Sequence, residues 1–333
     1  MWYKRPYNFF IYSSLMIIVT GGAGFIGSNI VAALEKAGKK DLVVVDELGS
    51  SDKWKNIAKR ELCAVIPPED MLDYMEAHAE EIEAVIHMGA ISATTETDAD
   101  LIIRTNFTLS WRLWEFCALY GKQFIYASSA ATYGDGSMGF DDDSSLEHVN
   151  ALRPLNAYGW SKALFDRKVA REVKEGRPVP PQYAGLKFFN VYGPNEYHKG
   201  GQKSVVAHIF PQVKVNETVK LFKSYHPDYR DGWQLRDFVW VGDCVNVVLW
   251  LLDHPEVSGL FNVGSGEARS FYDLAKAAFN ALGLQEKIAY REMPEELKGK
   301  YQYYTQADLS RLRAAGYAAP MTSLEDGVRQ YVP

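Results

Sequence analysis

The chain has 333 residues, of which 47% are hydrophobic and 23% charged, and its formal net charge is -6 at pH 7. This balance is ordinary for a soluble globular enzyme and leaves room for one large domain or two lobes. The acidic charge and the lack of a long basic block argue against nucleic acid as a partner. The scattered cysteines Cys63, Cys117 and Cys244 indicate a reducing compartment, and none stands near a histidine at metal-ligand spacing, so no metal site is predicted.

Residues 1–15 begin with basic residues and continue with apolar ones, as a signal peptide does. Pro6, Asn8 and a serine pair interrupt the apolar part, and no stretch of the chain reaches the roughly 18 apolar residues that a membrane span needs. We therefore interpret 1–15 as an appendage and expect the first strand to begin at Met16. The chain is expected to be cytoplasmic, without a membrane partner, and to fold normally when it starts at Met16.

A glycine-rich turn follows the first predicted strand. Met16–Thr20 is an apolar run typical of a buried parallel strand, 28–37 is a predicted helix, and 42–45 is a second strand that ends at Asp46. The glycines of the turn are Gly21, Gly22, Gly24 and Gly27. Small residues there let the backbone approach a pyrophosphate at the helix N-terminus, and Asp46 lies at the spacing of an acid that binds the adenosine ribose. The βαβ order predicts a dinucleotide site.

The alternation of strands and helices continues as far as residue 190. Predicted strands are 62–66, 84–90, 124–128 and 185–190, and predicted helices are 69–80, 101–120 and 158–174. Repeated βα units predict an α/β Rossmann fold with a doubly wound parallel sheet, whose ligands lie beyond the carboxyl ends of the strands. Ser128, Ser129, Asn190 and the pair Gly89 and Ala90 fall at such ends. The acidic run 141–145 is expected to be a solvated loop.

Strands and helices alternate less regularly after residue 190, where a smaller α/β substrate-binding lobe is predicted. Its helices are expected at 205–213, 243–253, 270–282 and 307–315, and its strands at 218–222, 236–241 and 260–263. The predicted organisation is an appendage at 1–15, a dinucleotide-binding domain at 16–190, and a lobe at 191–333 that is partly interleaved with the first domain.

Tyr158 and Lys162 stand four residues apart in a good helix-forming stretch and therefore share one helical face. A tyrosine with its ordinary pKa of about 10 is a poor base near neutrality, and a cation one turn away is expected to lower that pKa. Alone, the pair is more simply interpreted as a surface feature. The glycine fingerprint and the Ser-Ser-Ala-Ala run that begins at Ser128 instead favour an active site.

Five segments of the chain carry recognisable motifs: 20–27, 87–90, 126–134, 189–194 and 236–238. In this order they resemble the extended short-chain dehydrogenases/reductases that act on nucleotide sugars. The resemblance implies a catalytic triad of Ser129, Tyr158 and Lys162. Ser129 would hydrogen-bond the reacting oxygen, Tyr158 would exchange a proton with it, and Lys162 would hold the nicotinamide ribose.

Segments 92–98, 195–200 and 297–308 resemble one branch of that superfamily, the ADP-L-glycero-D-manno-heptose 6-epimerases. The resemblance implies an isomerase of lipopolysaccharide precursor supply, with ADP-heptose as substrate, Lys199 as a second acid/base and a homo-oligomeric assembly, a pentamer. It also implies cofactor contacts at Gly21, Gly24, Phe25, Ile26, Gly27, Asp46, Glu47, Lys53, Met88, Gly89, Ala90, Ile91, Ser92, Asn106, Tyr158 and Lys162. Implied substrate contacts are Asn190, Gly201, Ser204, His208, Phe222, Lys223, Ser224, Tyr225, Arg236 and Tyr301.

Two of these residues can be weighed on physical grounds. The guanidinium fork of Arg236 suits a diphosphate, whereas His208 fits equally well as an ordinary helix histidine. The segment 223–235 is longer than its counterpart in the resembled family. For the cofactor, the carboxylate of Asp46 favours NAD, because a 2′-phosphate would meet a negative charge. The resemblance implies NADP, with Lys53 as the compensating cation, so NADP is expected and NAD stays open.

Other interpretations differ in what they require. A UDP-sugar 4-epimerase shares the triad but does not need Lys199, and it stays open. A 4,6-dehydratase would want an acidic residue within 130–133, where none occurs. A catalytically silent dinucleotide-binding protein is disfavoured by the intact triad and, as an RNA binder, by the acidic net charge.

Overall fold

A computed structural model describes residues 15–295 and 301–332 of the chain. Its strands are β1 (Met16–Thr20), β2 (Leu42–Val45), β3 (Ala64–Ile66), β4 (Ile82–His87), β5 (Gln123–Ser129), β6 (Tyr183–Phe188), β7 (Asn190–Tyr192), β8 (Val219–Phe222), β9 (Leu235–Trp240), β10 (Gly259–Val263), β11 (Ala268–Ser270) and β12 (Ile288–Arg291). Seven of them form a parallel sheet in the order β10-β6-β5-β4-β1-β2-β3. The predicted Rossmann sheet is confirmed, and β1 begins at Met16 as expected.

Helices cover both faces of this sheet. They are α1 (Phe25–Lys36), α2 (Met71–Ala77), α3 (Ala99–Ile102), α4 (Leu109–Tyr120), α5 (Leu146–Ala151), α6 (Ala157–Lys174), α7 (Val205–Lys214), α8 (Val241–Asp253), α9 (Phe271–Ala281), α10 (Ser310–Ala314) and α11 (Leu324–Tyr331). Strands β1, β2 and β10 are buried along their whole length, as continuous apolar runs in a two-sided parallel sheet should be. One core packs α1 and α8 on one face, and another packs α2, α4 and α6 on the other.

The predicted single helix at 101–120 is interrupted. The chain forms α3, then a π-helical stretch over Ile103–Thr108, and then α4. The wide turn presents Asn106, whose amide exchanges two hydrogen bonds of 2.9 Å with the backbone of Ile91 and donates to Ser161 Oγ at 3.1 Å. Wider helical turns of this kind occur mostly at functional sites. The π turn therefore fixes the exit of β4 against α6.

The second lobe contributes β10 to the main sheet, where it pairs in parallel with β6. The rest of the lobe carries a three-stranded sheet in the order β11-β9-β7 and a two-stranded sheet of β12 and β8. Helices α7, α9 and α11 pack against these strands around a core that includes Val206, Phe279 and Val328. Five elements, α5, β7, β11, β12 and α11, were not predicted; the first four have three to six residues each, too few to show a periodic pattern.

The expectation of a solvated loop at 141–145 is wrong for Asp142, which is buried. Its carboxylate accepts a hydrogen bond of 2.6 Å from the backbone N–H of Asn262 and lies 3.6 Å from Arg311 Nε. Burial raises the pKa of Asp142 to about 6, against the lowering effect of that backbone bond and of Arg311. Asp142 thus fastens the loop to β10 and α10 rather than facing water.

Two stretches lie outside the described residues. Residues 1–14 belong to the predicted appendage, and 296–300 overlap the segment 297–308 that carries part of the family resemblance. Within the described ranges, no helix has the length and apolar character to cross a membrane. The same ranges hold no group of three or more His, Cys, Asp or Glu side chains able to bind a metal ion.

Candidate active site

The turn between β1 and α1 is shaped for close approach of a ligand. Gly21 has φ +64°, and a Cβ there would lie 2.6 Å from the backbone nitrogen of Gly89. A Cβ on Gly27 would lie 2.1 Å from the carbonyl oxygen of Gly21. Helix α1 begins at Phe25, and no side chain caps it at Gly24. A tight glycine turn that opens an uncapped helix N-terminus fits a pyrophosphate, so the residues present fit a dinucleotide cofactor.

Gly27→Ala is expected to abolish cofactor retention and to lower stability by about 1–3 kcal/mol, as overpacking of a closed site does. The added methyl would collide with backbone, which cannot move aside as a flexible side chain does. Gly201→Ala is the control, because the same added methyl would meet no atom within 4 Å there. Nucleotide released on denaturation and the thermal midpoint measure both effects. Equal behaviour of the two variants would contradict this account of the turn.

Asp46, at the end of β2, is engaged by both of its carboxylate oxygens. One accepts a hydrogen bond of 2.9 Å from the backbone N–H of Ala23, and the other lies 2.5 Å from Lys53 Nζ. Lys53 also donates to the carbonyl oxygen of Glu47 at 3.0 Å. The structure therefore brings together three of the predicted cofactor residues, with the negative charge of Asp46 already opposed by a cation.

The carboxyl end of β4 is locked to its neighbours through His87. Its Nδ1 lies 2.6 Å from Thr20 Oγ1 and its Nε2 lies 2.8 Å from Ser110 Oγ. The backbone N–H of Gly89 also donates to Thr20 Oγ1, at 3.1 Å. Predicted cofactor residues Met88–Ser92 follow directly, so this network sets the edge on which they lie. Burial, and secondarily the charge of Lys162, lowers the pKa of His87 to about 3.

This neutral histidine predicts acid sensitivity. Because its pKa is lowered in the folded state, the unfolded chain binds the extra proton below about pH 6.5, and stability falls as the pH drops from there toward 3. Each pH unit below about 6.5 lowers the free energy of unfolding by about 1.4 kcal/mol, so the loss reaches about 2 kcal/mol at pH 5. His87→Gln should therefore show a shallower loss of unfolding free energy between about pH 7 and 5, measured by urea titration. Parallel curves for wild type and variant would refute this role.

Ser129 and Tyr158 meet where β5 ends and α6 begins. The Ser129 hydroxyl caps the next turn by accepting from the Ala131 N–H at 3.1 Å. Asn156 caps α6 by accepting from the Gly159 N–H at 2.8 Å, and a Cβ on Gly159 would lie 2.7 Å from the carbonyl oxygen of Ala131. This close packing brings the Tyr158 phenol next to Ser129, whose hydroxyl favours the phenolate form.

The predicted lowering of the Tyr158 pKa by Lys162 is not found. Burial raises the pKa of Tyr158, and the opposing influence is the hydrogen bond with Ser129 rather than the charge of Lys162. Lys162 itself is buried, and burial lowers its pKa to about 8 against the effect of Asp166 one turn further on. Desolvation thus outweighs the one-turn charge interaction that the spacing suggested.

A buried ion pair lies behind the triad and was not predicted. Lys187 Nζ lies 3.1 Å from Asp166 Oδ2 and donates to Thr132 Oγ1 at 2.7 Å. Asp166 also accepts from the Ser128 hydroxyl at 2.7 Å. Lys187 and Asp166 are both 1% exposed, and the pair links α6, β5 and β6. The hydrophobic sequence pattern of β6 gave no sign of it.

Lys199 lies in a short 3₁₀-helical segment, Tyr197–Gln202, with its Nζ 5.4 Å from the centre of the Phe25 ring. Burial lowers the pKa of Lys199, and the charge of Glu196 opposes this shift. The predicted second acid/base is therefore half-buried beside the first residue of α1 rather than solvated.

Asn56 fastens the Lys199 segment to the dinucleotide side. Its amide nitrogen donates to the carbonyl oxygens of Ala23 at 2.9 Å and Asn195 at 3.2 Å, and lies 3.3 Å from His198 Nδ1. The Asn195 side chain in turn donates to Ser28 Oγ at 3.1 Å. Asn56 was not among the predicted site residues. Its partners are distant in sequence, so no spacing rule points to it.

Arg236 and Tyr301, two of the predicted substrate contacts, lie close together in the second lobe. The Arg236 guanidinium lies 5.0 Å from the Tyr301 ring and 5.7 Å from the Phe271 ring, and donates to the carbonyl oxygens of Leu235 and Gln302. It is 7% exposed, and burial lowers the pKa of Arg236. A guanidinium packed against two aromatic rings and hydrogen-bonded to two backbone carbonyls is preorganised for a diphosphate or for stacking.

The predicted contacts at 222–225 lie beside this pair through Tyr303. The Tyr303 ring packs 5.3 Å from the Tyr301 ring, and its hydroxyl accepts from the Tyr225 N–H at 3.1 Å. The backbone of Ser224 is held by Asp231, 2.8 Å away. Lys223 instead forms a surface ion pair with Glu292, and Phe222 stacks under Arg291.

Four other predicted substrate residues have structural partners or exposed positions. Ser204 caps α7 by accepting from the Ala207 N–H at 3.2 Å, and His208 Nε2 lies 3.3 Å from the carbonyl oxygen of Gly201. Gly201 and His208 are exposed, as is Asn190 at the start of β7. These contacts agree with the interpretation of His208 as an ordinary helix residue.

Comparison with known proteins agrees with this geometry. A model of the NAD dependent epimerase/dehydratase family matches residues 17–264. The ADP-L-glycero-D-manno-heptose-6-epimerase of Fusobacterium nucleatum subsp. nucleatum is 50% identical over 325 residues, which cover 95% of this chain and 97% of that protein.

Solved structures of epimerases are also similar to this chain. The ADP-L-glycero-D-manno-heptose-6-epimerase of Helicobacter pylori matches with a TM-score of 0.79 and 28% identity, covering 96% of both chains. The UDP-glucose 4-epimerase of Thermus thermophilus, solved with NAD, matches with a TM-score of 0.72 and 26% identity, covering 96% of this chain and 98% of that one. The chain therefore belongs to the NAD dependent epimerase/dehydratase family and, within it, to the ADP-L-glycero-D-manno-heptose-6-epimerases.

Proposed function

We propose that this protein converts ADP-D-glycero-D-manno-heptose to ADP-L-glycero-D-manno-heptose by transient oxidation at C6″, and so supplies heptose for lipopolysaccharide core. The observation that carries the proposal is the position of Lys199. Its ammonium is half-buried beside Phe25 at the dinucleotide turn, on a different segment from the Ser129–Tyr158 pair. A 6-epimerase that presents both faces of a ketone needs two separate proton-transfer groups, whereas a 4-epimerase does not need the lysine.

Different residues of the chain are proposed to orient the substrate and to transfer its protons. When bound, the nicotinamide cofactor supplies the hydride chemistry at C6″. Ser129 donates a hydrogen bond to the reacting oxygen, and Tyr158 exchanges its proton with that oxygen. The phenolate that oxidation requires is favoured by the ammonium of Lys162 when both groups contact the same ligand. Once the ketone has rotated, its oxygen faces away from Tyr158, and charged Lys199 donates the second proton.

The cofactor proposed is NADP. The support is the ion pair of Lys53 with Asp46, because a carboxylate already opposed by a cation repels a 2′-phosphate less than a lone one does. The contacts proposed for it are the β1–α1 turn, the 46–53 segment, the β4 exit and Asn106. Nucleotide released from the purified protein by denaturation identifies the cofactor, and NAD alone would contradict this choice.

The substrate diphosphate is proposed to lie at Arg236, flanked by Tyr301 and the 222–225 segment. The other proposed contacts are Asn190, Gly201, Ser204 and His208. We further propose a cytoplasmic homo-oligomer, a pentamer, built from chains that each combine a dinucleotide-binding domain at 16–190 with a substrate lobe at 191–333. Mass photometry of the purified protein tests the assembly.

Incubation with ADP-D-glycero-D-manno-heptose and NMR of the C6″ stereochemistry tests the function directly. Turnover is expected without added reductant and without net accumulation of reduced cofactor, since the substrate is first oxidised and then reduced. A parallel incubation with UDP-glucose tests the 4-epimerase alternative. Conversion of UDP-glucose with no change in ADP-heptose would overturn the proposal, and stoichiometric reduced cofactor would indicate a dehydrogenase.

A further inference from the structure

Glu196 is a buried carboxylate three residues before Lys199, and it is 1% exposed. Its Oε1 accepts hydrogen bonds from the Ser204 hydroxyl at 2.6 Å, the Tyr331 hydroxyl at 2.9 Å and the Gly193 N–H at 3.5 Å. Its Oε2 accepts from the Ser204 N–H. A buried carboxylate costs stability unless it is hydrogen-bonded and paired. These four bonds offset that cost and hold the side chain in one place.

These bonds join the two ends of the loop that carries Lys199. Gly193 precedes the loop and Ser204 follows it, so one carboxylate closes the loop at its base. The hydrogen bond from the Tyr331 hydroxyl also connects the carboxylate to α11 in the second lobe. The backbone adds a further link, because the Lys199 N–H donates to the carbonyl oxygen of Glu196 at 3.0 Å. The position of Lys199 is thus defined from the Glu196 side as well as by Asn56 on the dinucleotide side.

Glu196 also acts on the charge of Lys199. Burial lowers the pKa of Lys199, and the negative charge of Glu196 opposes that shift. Other charged and titratable groups on this side include His198 with its neighbours Asp46 and Lys53, and Tyr197 with its neighbours Asp52 and Lys55. Tyr331 faces Glu196 from α11. The carboxylate of Glu196 is therefore the group that favours the ammonium form.

We propose that Glu196 is a positioning residue for Lys199, closing the loop that carries it and so holding its ammonium in place for proton donation. The proposal rests on the proposed function, in which Lys199 is the second acid/base. It assigns a role to a side chain that does not itself reach the reacting atoms.

Glu196→Gln tests the charge with little change of shape. In the NADP-loaded protein, kcat for ADP-heptose epimerisation should fall at least tenfold near neutral pH, with little change in KM. The alkaline limb of the kcat–pH profile should move to lower pH, because Lys199 loses its proton more easily without the opposing charge. Tyr331→Phe is the control: it removes one hydrogen bond but keeps the charge, so the limb should stay in place.

Glu196→Asp separates charge from position. It keeps the carboxylate and shortens its reach, so kcat should fall while the alkaline limb stays near that of the wild type. If Glu196→Gln does not fold, as judged by circular dichroism and thermal midpoint, this variant decides: wild-type kcat would overturn the positioning role.

Lys199→Met distinguishes the two levels of the proposal. If Lys199→Met epimerises normally, the second acid/base and therefore the proposed mechanism fail. If Lys199→Met is inactive while Glu196→Gln has the wild-type kcat and pH profile, the role of Glu196 alone is wrong.

Discussion

Tyr158→Phe is expected to lower the turnover of ADP-heptose epimerisation by about 10²–10⁴-fold, the range for loss of a general acid/base. The substitution removes the phenol hydroxyl that lies beside Ser129 and keeps the ring that packs at the start of α6. Cofactor retention and the thermal midpoint should therefore stay close to those of the wild type. The measurements are kcat with ADP-heptose and the nucleotide released per chain.

Tyr120→Phe is the matched control for this substitution. Tyr120 ends α4, just before β5 begins at Gln123, whereas Ser129 ends the same strand. Tyr120 therefore lies near the start of β5 and Tyr158 near its end, beside Ser129. Removal of the Tyr120 hydroxyl should leave kcat unchanged. A Tyr158→Phe variant as active as this control would remove Tyr158 from the mechanism. Loss of bound cofactor would instead show a binding role.

The dinucleotide half of the site follows from local sequence. The glycine turn, the strand end at Asp46 and the spacing of Tyr158 and Lys162 are short-range features, since a strand, a turn and a helix in sequence fix where these residues lie. These features needed no knowledge of tertiary contacts. Lys53 was expected as a compensating cation only from the family resemblance, and the structure pairs it with Asp46.

Tertiary burial accounts for what the sequence did not reveal. Lys187 lies in a strand whose pattern is apolar, and it is stabilised there by Asp166 from a helix more than twenty residues away. Asp142 stands in an acidic run that is typical of a solvated loop, yet it pairs with the backbone of β10. The Tyr158 pKa was misjudged for the same reason, because desolvation depends on packing that no spacing encodes.

Lys199→Met is expected to abolish epimerisation of ADP-heptose while sparing the fold and cofactor binding. Methionine keeps an unbranched apolar stem against the Phe25 ring but cannot donate or accept a proton. The expected loss is at least as large as that of Tyr158→Phe, because each group serves one face of the ketone. Lys203→Met, four residues further along the same loop, is the control and should leave kcat within about twofold of the wild type.

A half-reaction sharpens the test of Lys199. An aldehyde analogue of the substrate that binds in both orientations can be oxidised in one orientation and reduced in the other, so its dismutation uses both acid/base groups. Poor dismutation by both Tyr158→Phe and Lys199→Met would show that the two side chains serve opposite faces. Gly200 and Gly201 leave open space beside Lys199, since a Cβ at either position would meet no atom within 4 Å. If Lys199→Met epimerises ADP-heptose at the wild-type rate, a single-base scheme replaces the two-base one.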